Sequence, residues 1–147
     1  MKRHLIQTVS IALFALSTSA FAAEFGTADE AKAMLNKAVM AVKADKAAAL
    51  GQFAKGEAGF KDRDLYPFCG GTDGNFSAHP SLNGKSLKDL KDKAGKSLGE
   101  EIYKTAQEGS VKEIAYMWPR PGTTEPVQKV SYVTKIGDQI CAVGYYK

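Results

Sequence analysis

The residues best suited to chemistry lie near the carboxyl end, where Tyr116-Met117-Trp118-Pro119-Arg120 is followed after a turn by Lys129-Val130-Ser131-Tyr132. Side chains alternate between the faces of a strand, so Tyr116, Trp118 and, if the pleat continues through Pro119, Arg120 share one face. Lys129 and Ser131 share a face of the next strand. Aromatic walls exclude water, and a cation held among them pairs a carboxylate with little screening, which suits a pocket for a small anion. The same spacing equally suits core and edge aromatics flanked by solvated cations, and spacing alone does not separate the two.

Other chemistries have less to stand on. Beyond His4 the chain holds one further histidine, His79, and Cys69 and Cys141 lie far apart with no second ligand beside either, so no metal or haem is expected. Gly70-Gly71-Thr72-Asp73-Gly74 lacks the lysine and following helix of a phosphate-binding loop and reads as a hairpin turn. With no G-x-S-x-G and no pair of carboxylates placed for acid and base work, neither an enzyme nor a cofactor is expected.

The amino terminus sets the compartment. Met1-Lys2-Arg3-His4 is basic, Leu5 to Leu16 is mostly apolar, and Ala20-Phe21-Ala22 fits a signal-peptidase site, so residues 1–22 read as an export signal and 23–147 as a single domain in the periplasm or outside the cell. An uncleaved membrane anchor is the alternative, although Gln7, Thr8 and Ser10 interrupt the apolar stretch. Loss of Lys2 and Arg3 with the leader lowers the formal charge from +4 to +2, too little and too interspersed to imply nucleic acid as a partner. In an oxidising compartment, two cysteines outside any C-x-x-C favour a structural disulfide, worth on the order of 4 kcal/mol over so long a loop.

These residues need elements to position them. Thr27-Ala28-Asp29-Glu30 is a capping box, and Ala31, Met34, Leu35, Ala38, Val42, Ala49 and Phe53 recur at helical spacing. The pattern predicts one helix from Thr27 to about Lys55, roughly 40 Å long at 1.5 Å per residue, either lying across a sheet or projecting as a rod, with Gly51 a candidate bend. Asp64 to Cys69 and Asn75 to His79 read as two strands of a hairpin, and Ser81 to Lys96 as a lysine-rich solvated segment. Ser97-Leu98-Gly99-Glu100 is a second capping box, opening a helix expected to run to Gly109. Val111–Trp118, Val127–Lys135 and Gln139–Tyr145 then alternate with period two. The order predicts an α+β domain: a long helix packed on a five-stranded antiparallel sheet, with a second helix between strands two and three.

That ordering resembles a single Cache domain, the extracytoplasmic sensory module related in fold to PAS domains. The resemblance rests on Asp73-Gly74-Asn75-Phe76 leading to Ala78-His79-Pro80, on Gly84-Lys85, Leu90-Lys91-Asp92 and Gly95-Lys96, on Tyr116-Met117-Trp118 and Lys129-Val130-Ser131-Tyr132-Val133, and on the closing Val143-Gly144-Tyr145-Tyr146. It implies strand order 2-1-5-4-3, which sets the Cys69 strand beside that of Cys141. It also implies a pocket for small organic acids, amino acids or related metabolites, with ligand contacts falling on Tyr116, Trp118, Lys129, His79, Arg120 and Ser131, while Tyr66 and Tyr132 are placed in the core. Lys129, helped by Arg120, would pair the ligand's charge, Tyr116 and Trp118 would form walls, and His79 would donate from the rim. The expected partners are a small anionic ligand and a membrane receptor or sensor kinase. A cystatin-like helix-on-sheet interaction protein without a pocket is the competing expectation, with the helix between strands two and three against it.

Overall fold

The structure is a computed structural model and describes residues 23–147. The leader assigned to residues 1–22 lies outside the described residues. Helix α1 (Ala28–Ala44) opens on the expected capping box: Glu30 N–H donates to Thr27 Oγ1 at 3.3 Å and Thr27 N–H to Glu30 Oε2 at 2.8 Å. The long helical stretch is divided at Asp45, which is extended (φ −154°, ψ 96°) and whose carboxylate accepts from Ala48 N–H at 3.0 Å to cap a second helix, α2 (Lys46–Lys55). The break therefore falls at an aspartate suited to capping, and Gly51 sits undisturbed inside α2. Both helices lie across the sheet, with Ala31, Leu35, Ala38, Ala49 and Phe53 buried in one core.

Strands β1 (Pro67–Gly70) and β2 (Phe76–Ala78) come next, then helix α3 (Leu98–Thr105), then β3 (Lys112–Pro119), β4 (Pro126–Ile136) and β5 (Gln139–Tyr146). They form one antiparallel sheet in the order β2-β1-β5-β4-β3. Cys69 and Cys141 face each other across β1 and β5 and are disulfide-bonded, both fully buried on the helix side.

The second capping box does not form. Ser97 makes no side-chain cap bond, because the first turn of α3 is fastened by the preceding loop: Gly99 N–H donates to the Leu90 carbonyl at 2.9 Å. Gly99 is required there, since a Cβ would run into the backbone of Leu87 and Lys88. Helix α3 also stops short of Gly109, as Gln107 pairs with Ser110 and Glu108 with Lys135 as isolated bridges, and Lys135 N–H donates to the Gln107 carbonyl at 3.2 Å.

The sheet has two buried faces. Alternation along β4 sends Tyr132 and Ile136 toward α1 and α2, and Lys129, Ser131 and Val133 to the opposite face, where α3 and the 79–97 loop cover Phe68, Phe76, Leu98, Ile102, Ile114 and Tyr116. Asp92, 7% exposed, pins that loop: its carboxylate accepts from Ala94, Lys96 and Met117 N–H at 2.8–2.9 Å. Lys93 N–H donates to Met117 O at 3.1 Å, so the loop also satisfies part of the outer edge of β3.

Candidate functional site

Strand register builds the site on the face away from α1. Tyr116 on β3 lies directly opposite Lys129 on β4, which lies opposite Tyr146 on β5, and the adjacent row runs Ile114, Ser131, Gly144. Gly144 has no Cβ, and one placed there would collide with Lys129 Cε and Ser131 Oγ. The lysine stem thus crosses the sheet over a gap that only glycine leaves. Its ammonium donates to Tyr66 Oη at 3.1 Å and sits 4.4 Å from the Tyr66 ring centre and 4.9 Å from that of Tyr146. Ser131, fully buried, meets the Tyr116 hydroxyl at 2.8 Å and so sets the orientation of that phenol.

Lys129 is 1% exposed, and among the described residues no carboxylate lies within 4 Å of its ammonium. Burial opposes its charge, but the surrounding oxygens of Tyr116, Tyr66 and Tyr146 outweigh that and hold the lysine pKa above its ordinary value. Burial likewise raises the pKa of the Tyr116 and Tyr146 hydroxyls, so both of these phenols are neutral and Lys129 is a cation at neutral pH.

His79 is fixed from the other side. Ser81 N–H and Leu82 N–H both donate to its Nδ1, at 3.0 and 3.1 Å, which places the proton of the neutral ring on Nε2. Burial, with a smaller contribution from the Lys129 charge, lowers the pKa of His79 to about 4. The ring is therefore neutral at pH 7 and offers an N–H donor.

Two adjoining spaces meet at Tyr66, His79 and Trp118. The inner one, about 10 Å³, is lined by those three with Phe68, Phe76 and Tyr116 among others, and has room for about one water. The outer cleft, about 330 Å³, runs past Leu82, Lys61, Lys93, Arg120 and the 119–123 turn. Among the described residues the lining of both carries no carboxylate.

Of the sequence-derived site residues, Trp118 and His79 thus border both spaces, Tyr116 borders the inner one and Arg120 the outer. Lys129 and Ser131 line neither. They stand immediately behind Tyr66 and Tyr116, and Lys129 reaches the wall through the Tyr66 hydroxyl. Arg120 is engaged within the protein, its Nε donating to Asp64 Oδ2 at 3.4 Å while the guanidinium lies 4.0 Å from the Phe25 ring centre and 4.9 Å from that of Tyr146. The expected core role holds for Tyr132, which packs under the helices, and for Tyr66, which is buried in the core of the opposite face and borders the cleft as well. Its parity with Phe68, opposite to that of Cys69, is the signal that marks it for this face. Gly144 was legible only as a glycine inside a strand, and Tyr146 only through its register with Lys129.

Among the described residues no cluster of three or more His, Cys, Asp or Glu side chains is placed to hold a metal. Residues 30–146 match the Cache domain family. The fold is similar to a methyl-accepting chemotaxis protein from Vibrio parahaemolyticus (26% identity, TM-score 0.65, covering 80% of this chain and 86% of that one) and to a periplasmic sensor domain of a chemotaxis protein (25% identity, TM-score 0.61, covering 80% and 88%). A third solved structure, described as the basis for carboxylic acid recognition by a Cache chemosensory domain, shares the fold at 22% identity and TM-score 0.57, covering 80% and 86%. Over 56 residues the chain is 34% identical to the methyl-accepting chemotaxis protein McpP of Pseudomonas putida, a match spanning 38% of this chain and 10% of that receptor.

Proposed function

The chain belongs to the Cache domain family of extracytoplasmic sensory modules, and from that premise we propose that it binds a small carboxylate in the cleft between Tyr66, His79 and Trp118. The observation that carries this reading is Lys129: a buried ammonium on the cleft side of the sheet with tyrosine side chains for neighbours and no acidic partner among the described residues. A buried cation without a counter-charge favours an incoming anion, and His79 Nε2–H and the Tyr66 hydroxyl are the donors at the wall to receive it. Aromatic and aliphatic side chains around the inner space suit an apolar group no larger than about a methyl, with the rest of the ligand in the outer cleft. Among the described residues the lining holds no carboxylate to pair an amino acid's ammonium, which favours simple carboxylates over amino acids. Carboxylic acid recognition by another domain of this fold is consistent with that choice.

The chain carries one tryptophan, and it borders the cleft, so intrinsic fluorescence reports occupancy directly. Titration with acetate, propionate, pyruvate, succinate and alanine, read by Trp118 fluorescence and thermal shift, is expected to show a response to carboxylates and none to alanine. Lys129→Met removes the positive charge behind the Tyr66 hydroxyl and should weaken the best of them by roughly tenfold, about 1.4 kcal/mol. A folded sample that responds to none of the five, or an unchanged affinity in Lys129→Met, overturns the reading, and the first result would turn attention to surface interaction instead.

The proposal extends to location and partner. Residues 1–22 act as a cleaved export signal, and the domain in the periplasm presents its bound state to a membrane receptor or sensor kinase. Among the described residues no helix is long and apolar enough to cross a membrane. Amino-terminal sequencing of protein from the soluble periplasmic fraction is expected to begin at Ala23.

A further inference from the structure

Arg120 belongs to two structures at once. It forms part of the cleft wall, and it is also tied to residues 23–26, the first of the described residues. The tie runs through Asp64, which is 5% exposed: Oδ2 accepts from Arg120 Nε, and Oδ1 accepts from Gly26 N–H at 2.7 Å. The same guanidinium lies over Phe25, its carbon 4.0 Å from the ring centre. Gly26 is fitted closely against Leu65, where a Cβ would collide with the leucine side chain. Arg63, next to Asp64 in the chain, completes the fastening by donating to the carbonyls of Ala23 and Phe25 at 3.2 and 3.0 Å.

The Arg120–Asp64 bond is the loose member of this set. At 3.4 Å it lies beyond the usual range for N–H···O bonds, and among the described residues the two terminal nitrogens of Arg120 make no hydrogen bond. A guanidinium presents donors on more than one edge, so it can hold one carboxylate through Nε while its terminal nitrogens take a second. Resting on the binding reading above, we propose that Arg120 couples occupancy of the cleft to the N-terminal segment: a ligand carboxylate on its terminal nitrogens fixes the guanidinium against Asp64 and Phe25, and so fastens residues 23–26. Tyr146 connects the same group to the inner site, since its ring also lies over the Lys129 ammonium.

The test combines two readouts on the purified protein, with propionate as the probe: Trp118 fluorescence for binding and amide hydrogen exchange at Gly26 for coupling. Saturating propionate is expected to slow exchange at Gly26 several-fold. Asp64→Asn keeps an acceptor for Gly26 but removes the charge that holds Arg120, so it should bind propionate and lose the slowing. Phe25→Ala, at a position 41% exposed where folding is not at stake, should reduce the slowing in the same way. Binding without any change at Gly26, or equal slowing in both variants, overturns the coupling and leaves the binding reading intact. Absence of a Trp118 response to propionate together with every other carboxylate overturns both.

Discussion

His79 sits beneath its own loop with Nδ1 saturated by two backbone donors, and its pKa of about 4 lies well below the 6.5 of a free histidine. Between those two values an unfolded chain takes up a proton that the folded one refuses. The contribution to stability is therefore complete above about pH 6.5 and is lost as pH falls toward 4, at a slope of up to about 1.4 kcal/mol per pH unit. Urea unfolding of the wild type and His79→Gln across pH 4–7 should show this slope in the wild type and a flatter dependence in the variant. At the same scale the sequence was informative about identities but not about depth. Tyr116, Trp118, Lys129 and Ser131 share a face as alternation requires, yet nothing in their spacing distinguishes Trp118 at the cleft from Lys129 one layer behind it. That layering comes from Gly144, whose missing side chain lets the lysine stem cross β5, and from Tyr66, which precedes β1 and takes its place only once β1 is paired to β5.

The elements were legible where local chemistry governs them. The Thr27 capping box forms, whereas at Ser97 tertiary contacts from the 79–97 loop replace it, and a cap motif cannot reveal a distant carbonyl such as that of Leu90. The helix break at Asp45 was hidden because the apolar spacing continues through it into α2, which packs in the same core. The lysine-rich segment Ser81–Lys96 read as a solvated run, and its lysines are mostly exposed, but Asp92 within it is the fastening that turns the segment into the cover of the site. Asp92→Ala leaves three backbone donors of this loop and of β3 without their acceptor. It is expected to cost about 2–3 kcal/mol and to raise amide exchange at Ala94, Lys96 and Met117 together, which exchange measured residue by residue would check.

At the scale of the molecule, the element order and the family resemblance together anticipated the sheet order, and the fold follows it strand by strand. The disulfide joins the two strands at the middle of that sheet across 72 residues, on the helix side. Replacing both cysteines, as in Cys69→Ala/Cys141→Ala, is expected to lower stability by about 2–5 kcal/mol. Carboxylate affinity at the cleft should be unchanged, because the bond lies on the other side of the sheet. Equilibrium unfolding and the Trp118 titration measure the two effects separately, and a large loss of affinity at temperatures where the variant stays folded would contradict this separation.

The partition of the sheet into a helix-bearing side and a ligand-facing side has a consequence for how such a protein can change. The core under α1 and α2, with the cystine, shares none of its buried side chains with the cleft wall, so groups that border the cleft, such as Trp118 and Arg120, can be exchanged without disturbing it. A lineage could reshape the cleft through a handful of replacements there, while the helix-side scaffold that keeps the domain folded stays untouched.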